Sequence, residues 1–428
     1  MDMRLTRRKL LVLGGVAASV AALPLIFRSR RPRSSRLLRD PAKILDLPPG
    51  FSYRVLDRAG EPMSDGYRVP NLPDGMGCFG NDEGQLILLR NHEVTRHFGH
   101  GAHGSGQAPP EAYDKTALGG VTRLVLDAKT LERVSSNLAL TGTLKTCAGG
   151  TSPWGWMACE ETSEEGHGYV FLCRTEAPRL MPPERLTAYG RFTHEAVGFD
   201  PSTYVAYQTE DRADGCLYRF VPTSKSEPFV GKLSALALVG RPRLETALDL
   251  SPGQRHAVEW VDVPEPDPRE DTTRQQAQER GAARFRRGEG AFFHGGALYF
   301  VTTLGGRKDR GQVFKLSPGN GSGPDQLEVL AESRDAEVLD CPDNITVAPF
   351  GHVLMAEDGS DGNFIRGLTP EGYIYDFAFN SGGPGELAGL CFSPDGGTLF
   401  VNMFLEGMTL AVQGPFASLG RAPSAASG

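Results

Sequence analysis

The sequence predicts an all-β fold, namely a six-bladed β-propeller with loop insertions and one short helical insertion. Three apolar runs end in paired carboxylates, and each is followed by a glycine-containing turn and a second apolar run. The three pairs are Glu160-Glu161, Glu210-Asp211 and Glu357-Asp358. Hairpins of this kind that recur at steps of roughly 50 residues are typical of propeller blades.

Further segments extend the same pattern along the chain. Apolar strand segments at residues 298–303 and 398–403 share the rhythm without the acid pair, and strand patterns at 85–89 and 121–127 precede the acidic hairpins. The 53 glycines and 31 prolines supply the turns that such a fold needs. Residues 271–287 are rich in helix formers with few apolar positions, which predicts a short polar helix on an insertion. The alternative all-β architecture is a β-sandwich with long loops.

The N-terminus predicts export. Arg7-Arg8 precede an uncharged stretch at residues 10–27, a pattern typical of a twin-arginine signal. We expect residues 1–44 to be signal and tether, 45–415 a single propeller domain, and 416–428 a disordered tail. The expected partner is the twin-arginine export machinery, and the expected location is periplasmic, extracellular or membrane-tethered. A single N-terminal membrane anchor is the alternative, because the apolar stretch approaches spanning length.

The charge and the cysteines exclude other classes of protein. A net charge of −7 provides no basic surface for nucleic acid. The seven cysteines form no CxxC pair, so neither a zinc ribbon nor a disulfide scaffold is indicated.

Acidic residues and one cysteine form the candidate site. Cys147 begins a Gly- and Trp-rich segment at residues 147–156, where it is either a metal thiolate or a buried small apolar residue. Glu93 follows a predicted strand, and four further acids stand in loops about to enter strands: Glu195, Glu289, Asp343 and Glu386. Singly, such acids are usually solvated turn residues. On one face of a channel they would repel one another and need cations, such as calcium, magnesium, manganese or ferric iron.

These motifs together resemble the PhoX family of exported alkaline phosphatases, of which this chain would be a short, divergent member. The resemblance rests on residues 88–93, 147–161, 193–195, 287–290, 342–344 and 386–389. It implies a six-bladed propeller that hydrolyses phosphomonoesters at one end of its channel, with two ferric ions and several calcium ions.

The resemblance also implies roles for individual residues. Cys147 would be an iron ligand, and Arg287 would contact the substrate phosphate. The carboxylate ligands of the cluster would be Glu195, Glu289 and Asp343, and Glu289 would share the catalytic role with Arg287. Glu93, Glu160, Glu161 and Glu386 match the family less closely and are expected to bind calcium or to support the ligands.

We therefore expect an exported, monomeric, metal-dependent phosphatase whose partner is a small phosphate ester. Two alternatives stay open, a calcium-dependent lactonase-type hydrolase that does not need Cys147, and a non-catalytic exported binding propeller. The remaining paired acids are expected at the rim of the channel: Glu210, Asp211, Glu357 and Asp358.

Overall fold

The computed structural model of the protein describes residues 37–103, 106–319, 321, 323–360 and 362–420. The expected twin-arginine signal, most of the tether, and residues 421–428 lie outside this range. Within it, no helix is long and apolar enough to cross a bilayer. Residues 37–44, which the sequence assigned to the tether, already contact the domain, since the N–H of Leu38 donates to the carbonyl of Leu47 at 2.8 Å.

The chain begins with two short strands that join sheets formed much later, and then builds two sheets of its own. The two early strands are β1 (Leu45–Asp46) and β2 (Ser52–Arg58). The first sheet has four strands in sequential order: β3 (Pro73–Gly80), β4 (Gln85–His92), β5 (Gly119–Asp127) and β6 (Arg133–Thr143). The second has three: β7 (Thr146–Ser152), β8 (Gly155–Glu160) and β9 (Val170–Cys173).

A nine-stranded sheet follows, made of two four-stranded meanders and one bridging strand. The first meander is β10 (His194–Phe199), β11 (Ala206–Glu210), β12 (Leu217–Ser224) and β13 (Glu227–Leu238). The bridging strand is β14 (Arg255–Asp262), which pairs with both neighbours. The second meander is β15 (Gly288–His294), β16 (Ala297–Thr302), β17 (Gln312–Ser317) and β18 (Asp325–Glu332).

The last two sheets each receive one of the N-terminal strands. One consists of β19 (Pro342–Val347), β20 (Val353–Glu357), β21 (Phe364–Leu368) and β22 (Ile374–Asn380), with β1 outside β22. The other consists of β23 (Leu387–Phe392), β24 (Thr398–Met403) and β25 (Met408–Gln413), with β2 outside β25. Pairing of the chain's beginning with its end closes the fold, which protects the sheet edges.

The first strands of the meanders lie around one axis. Each contacts the next in the order β3, β7, β10, β15, β19, β23, and β23 returns to contact β3. The fold is therefore an all-β propeller, as predicted, and not a sandwich. Hydrogen bonding divides it into four separate sheets and the nine-stranded sheet, because β14 joins two meanders at their outer edges. The count of six blades stays a prediction.

In the part of the chain that the structure describes, helices are few and short. A 3₁₀ turn covers Thr187–Tyr189, and the α-helices are α1 (Thr246–Asp249), α2 (Thr273–Glu279) and α3 (Phe416–Leu419). Helix α2 lies within the insertion where the sequence predicted one. Residues 416–420 were assigned to a disordered tail, but here α3 packs on the domain because Phe416 is buried in edge-to-face contact with Phe51 and Phe392.

A buried ion pair joins the last sheet, which contains β2 and β25, to the first sheet, which contains β4. Arg90 of β4 donates to both carboxylate oxygens of Asp57 on β2, at 2.6 and 3.1 Å, and also contacts Thr409 on β25. Both charged side chains are almost inaccessible to solvent. Because removing one partner of such a pair leaves a buried charge uncompensated, this contact holds the N-terminal strand in register.

Candidate metal centre

One hairpin geometry recurs in six places around the axis. In each, the residue after the second strand, here called the exit residue, donates its main-chain N–H to the carbonyl of the residue before the first strand, called the entry residue. The six exit-to-entry bonds measure 2.9–3.2 Å and join Glu93 to Leu72, Glu161 to Lys145, Asp211 to Thr193, Thr303 to Arg287, Asp358 to Cys341, and Phe404 to Glu386. Equivalent positions in the six hairpins can therefore be compared directly.

The second residue of each first strand carries the site chemistry. Going round the axis, these residues are Asp74, Cys147, Glu195, Glu289, Asp343 and Ala388. In every hairpin the pairing register shifts at this position, as it does at a β-bulge. Bulges redirect side chains and strengthen strand twist, so five strands present a ligand-type group at the same level of the axis. At the sixth strand Ala388 offers none, and the entry residue Glu386 supplies a carboxylate instead.

Nine buried side chains form one continuous cluster. Four overlapping triplets have potential ligand atoms within 4.8 Å of one another: Asp74–Glu93–Cys147, Cys147–Glu161–Glu195, Glu195–Glu289–Asp343 and Asp343–Asp358–Glu386. The Cys147 Sγ lies 2.9 Å from Glu195 Oε1 and 3.5 Å from Asp74 Oδ2. Since Cys147, Glu195 and Asp343 each belong to two triplets, the cluster is suited to several adjacent ions.

Small residues let the first strands approach closely enough to assemble this cluster. A Cβ on Gly75 would lie 2.5 Å from the Cα of Ala148, and one on Gly290 would lie 2.6 Å from the carbonyl oxygen of Asp343. Both glycines follow a ligand-type residue directly. Real Cβ atoms do not approach backbone so closely, so glycine is needed where neighbouring strands bring their acids together.

Three polar side chains fix the backbone of the ligand positions across sheet boundaries. Asn91 Nδ2 donates to the carbonyl of Cys147 at 3.0 Å. Thr209 Oγ1 donates to that of Glu289 at 2.5 Å, and Asn402 Nδ2 to that of Asp74 at 2.5 Å. Each donor is the penultimate residue of a second strand and reaches the next first strand around the axis. The ligand backbone is therefore held by fully buried hydrogen bonds.

The paired acids divide between two tasks. The first member of each pair ends a strand and folds back on its own sheet, as Glu160 does by accepting the N–H groups of Leu144 and Gly168, each at 2.9 Å, and contacting His167 Nδ1 at 2.7 Å. Glu210 and Glu357 behave alike. Glu210 accepts the Cys216 N–H at 3.0 Å, and Glu357 accepts that of Asp340 at 2.8 Å.

The second member of each pair is an exit residue and lies toward the axis. Glu161 and Asp358 belong to the cluster, and Asp211 binds Arg287. Side chains alternate along a strand, so adjacent acids face opposite ways and only one of each pair meets the axis. The structure accordingly places Glu160, which the sequence grouped with the ligands, outside the cluster.

Arg287 and Lys145 bring positive charge to the cluster. Arg287 Nε and Nη2 donate to the two oxygens of Asp211 at 2.7 and 2.9 Å, and Nη2 lies 2.8 Å from Glu289 Oε1. Lys145 Nζ lies 3.2 Å from Glu161 Oε1 and 3.8 Å from Glu93 Oε1. The cluster contains eight carboxyl groups and one thiol, so these two cations balance it only in part.

Burial and the close packing of acidic side chains raise the pKa of Glu289. Burial, followed by the negative charges of Asp211 and Asp343, raises this pKa well above its usual value, although Arg287 opposes the shift. Without further cations the carboxyl group is therefore driven toward its protonated form. A bound cation would reverse this preference, because it favours the ionised carboxylate.

The structure brings together most of the residues that the sequence selected. The cluster includes Glu93, Cys147, Glu161, Glu195, Glu289, Asp343 and Glu386, with Arg287 in contact. It also includes Asp358, which was expected at the rim, and Asp74, which sequence reasoning missed. The sequence did hold a signal for Asp74, because Leu72-Pro73-Asp74 repeats the Pro-Asp pair of Cys341-Pro342-Asp343. In the structure the residue before each proline is left-handed, with φ of 54° and 52°.

The protein is therefore a β-propeller that gathers eight carboxyl groups and a thiol in one buried cluster, a set of side chains that could hold metal ions. Carboxylates suit hard cations, and the thiol adds affinity for a transition metal. The chain belongs to the PhoX family. The family model, described as alkaline phosphatase PhoX, matches residues 33–138 and 127–407.

Solved structures give more distant likenesses. A luciferin-regenerating enzyme is 12% identical with a TM-score of 0.46, and the match covers 85% of this chain and 96% of that one. A gluconolactonase from Xanthomonas campestris is 14% identical with a TM-score of 0.40, covering 86% and 99%. An auxiliary nutrient binding protein from Bacteroides ovatus is 9% identical with a TM-score of 0.45, covering 86% and 77%. A search of curated protein sequences found no match.

Proposed function

We propose that this chain is a metal-dependent phosphatase that hydrolyses phosphomonoesters at the buried cluster. The observation that carries the proposal is the unbroken series of four acidic triplets from Asp74 to Glu386, in a chain of the PhoX family. So many buried carboxyl groups within reach of one another are expected where a protein holds several cations.

The donor atoms support two kinds of ion. Cys147, with Asp74 and Glu195 beside it, combines a soft sulfur with hard oxygens, which fits ferric iron. Asp343, Asp358 and Glu386 offer oxygen alone, which fits calcium. We propose two ferric ions and several calcium ions, held by these side chains together with Glu93, Glu161 and Glu289.

When bound, the metal ions would act as Lewis acids that hold phosphate oxygens and stabilise the charge developing on them. The residues of the chain orient the substrate. Arg287 has its guanidinium plane fixed by Asp211, so it presents a preoriented cation to a phosphate oxygen. Glu289 lies between Arg287 and the acids of the neighbouring strands and couples the arginine to the metal ligands.

A small cavity lies further along the strands that carry the cluster. A cavity of about 50 Å³ lies between the first strands, lined by apolar residues such as Met76, Trp156 and Ile345. Met76 and Ile345 stand two residues beyond Asp74 and Asp343 on their strands, and Trp156 stands on the second strand β8. A space of this size holds no substrate, so we propose that the ester enters from the face where the strands begin.

We also propose that the fold has six blades, that the protein is exported by the twin-arginine route, and that it is monomeric. The blade count is supported by the six exit-to-entry hydrogen bonds, with β10–β13 and β15–β18 counted as two blades bridged by β14. The export proposal rests on Arg7-Arg8 ahead of the apolar segment. Retention of an Arg7→Lys, Arg8→Lys variant in the cytoplasm is the expected result.

Metal analysis and an activity panel test the function. Protein folded in the cell should contain iron and calcium and should hydrolyse p-nitrophenyl phosphate, and removal of the ions by chelation should abolish this activity. The Cys147→Ala variant should lose iron and activity. A fully folded, iron-free wild type would contradict the metal assignment. Turnover of a lactone but not of the phosphate ester would identify the protein as the lactonase alternative. Metal-loaded protein that turns over neither substrate would identify it as the binding propeller.

A further inference from the structure

Lys145 occupies the same structural position as Arg287. Both are entry residues, with their carbonyls accepting the exit N–H groups of Glu161 and Thr303, at 2.9 and 3.0 Å. Both adopt left-handed backbone, with φ of 48° and 54°, a conformation shared by the entry residues Leu72 and Cys341. The conformation is thus common to four of the six entry residues, and two of these four are cations.

The two cations are also held by equivalent acids. Arg287 binds Asp211, which is the exit residue of the preceding hairpin around the axis. Lys145 lies 3.8 Å from Glu93, which is likewise the exit residue of its preceding hairpin. The side chain of Lys145 is 20% exposed and that of Arg287 is 11% exposed, whereas the acids they contact are almost inaccessible. Each cation therefore forms part of the solvent-facing surface of the cluster.

The strand order places the two cations on either side of Glu195. Lys145 precedes β7 and Arg287 precedes β15, and β10, which carries Glu195, lies between these strands. Glu195 belongs to two of the four acidic triplets. An anion that approaches the cluster at Glu195 therefore meets positive charge from both sides. Arg287 supplies a planar guanidinium group, and Lys145 supplies a flexible ammonium group.

We propose that Lys145 is a second cationic contact for the phosphoryl group and that it makes the site selective for the dianion of a monoester over the monoanion of a diester. This inference rests on the proposed phosphatase function. A phosphate monoester carries nearly two negative charges near neutral pH, and a diester carries one. Arg287 supplies one ionic contact to either substrate, and the charge of Lys145 favours the group with a second charge and a third free oxygen.

The test compares Lys145→Gln and Lys145→Arg with Lys129→Gln, a control that removes an exposed lysine from the β5–β6 turn. Substrates are p-nitrophenyl phosphate and bis(p-nitrophenyl) phosphate. A charge-assisted hydrogen bond contributes enough that Lys145→Gln should raise KM for the monoester about 10- to 100-fold. The diester should be affected much less, so the monoester-to-diester ratio of kcat/KM should fall. Lys145→Arg should retain the ratio.

A binding measurement separates this inference from the function on which it rests. Inorganic phosphate should raise the melting temperature of metal-loaded wild type and of Lys129→Gln, but raise that of Lys145→Gln less. If the wild type hydrolyses neither substrate, the phosphatase proposal fails, and the melting shift still decides whether Lys145 binds phosphate. An unchanged shift and an unchanged ratio in Lys145→Gln would overturn the inference. So would loss of metal from Lys145→Gln, since Lys145 would then serve only to balance the acids. Lys145→Met provides a second uncharged variant should Lys145→Gln fail to fold.

Discussion

Asp211 binds Arg287 through two parallel hydrogen bonds, with Oδ1 accepting from Nε at 2.7 Å and Oδ2 accepting from Nη2 at 2.9 Å. The pair joins the exit of one hairpin to the entry of the next. Because both bonds lie along one edge of the guanidinium group, they fix its plane as well as its position. An acid that the sequence alone places at the rim is therefore the residue that orients the arginine.

Replacing Asp211 with Asn should disturb this orientation. An amide offers one oxygen acceptor where the carboxylate offers two, so Arg287 should lose its fixed plane. We expect kcat/KM for p-nitrophenyl phosphate to fall about 10- to 100-fold, as is usual when the partner of a functional group is removed. Steady-state kinetics measure this. The matched control is Glu210→Gln, which changes the adjacent acid that faces the sheet and should alter stability without altering KM. Equal kinetic effects of the two variants would contradict the division of tasks.

Replacing Glu289 with Gln should have opposite effects on the metal-free and the metal-loaded protein. Burial and the charges of Asp211 and Asp343 hold the pKa of Glu289 well above its usual value. Between the unfolded pKa of about 4.3 and the folded pKa, only the folded state holds the proton, so rising pH destabilises the metal-free fold. Gln cannot ionise, and metal-free Glu289→Gln should therefore be more stable than wild type at pH 7 to 8.

The metal-loaded form of the same variant should lose bound ion and activity, because a ligand-type carboxylate is gone. Denaturant unfolding after chelation, carried out at pH 5 and pH 8, measures the first effect, and metal analysis measures the second. Glu132→Gln is the control, since Glu132 is exposed. A metal-free variant less stable than wild type at pH 8 would show that repulsion from Asp211 and Asp343 does not destabilise the ionised form of Glu289.

The sequence was sufficient for the propeller and for most of the cluster, for identifiable physical reasons. Acid-ended strands recur because one hairpin geometry recurs. Acids that the sequence places just before a strand, such as Glu195 and Asp343, are the second residues of the first strands. The sequence could not decide between Glu160 and Glu161, because that depends on which face of the strand meets the axis. It also could not show that β14 joins two meanders, since pairing across an insertion depends on tertiary packing.

A single methyl group at Gly290 should separate two parts of the cluster. The Cβ of an alanine there would lie 2.6 Å from the carbonyl oxygen of Asp343 and 2.7 Å from the main-chain nitrogen of Ile345. Strands β15 and β19 would have to move apart, and overpacking of this kind costs about 1 to 3 kcal/mol. We expect Gly290→Ala to lower both the melting temperature and the metal content.

Gly80→Ala is the matched control for this substitution. A Cβ at Gly80 would meet only the Cγ of Pro394, at 3.5 Å, which is an ordinary van der Waals contact. Calorimetry and metal analysis of the two variants should therefore differ. Full metal occupancy in Gly290→Ala would mean that the close approach of the strands is not what assembles the ligands.

His167 should give the protein a pH-dependent stability through its contact with Glu160. Burial alone lowers the pKa of His167, but the hydrogen bond to Glu160, together with the charges of Glu160 and Asp114, raises it above its usual value overall. The contribution of His167 to stability is then complete below the unfolded pKa of about 6.5 and is lost as pH rises through the folded pKa. The free energy of unfolding should accordingly decline above pH 6.5 in wild type, and this decline should be smaller in His167→Gln.

Urea unfolding between pH 6 and pH 9 measures how steeply the free energy of unfolding depends on pH, with His97→Gln as the exposed control. Identical slopes in wild type and His167→Gln would mean that the Glu160–His167 contact is not ionic in the folded protein.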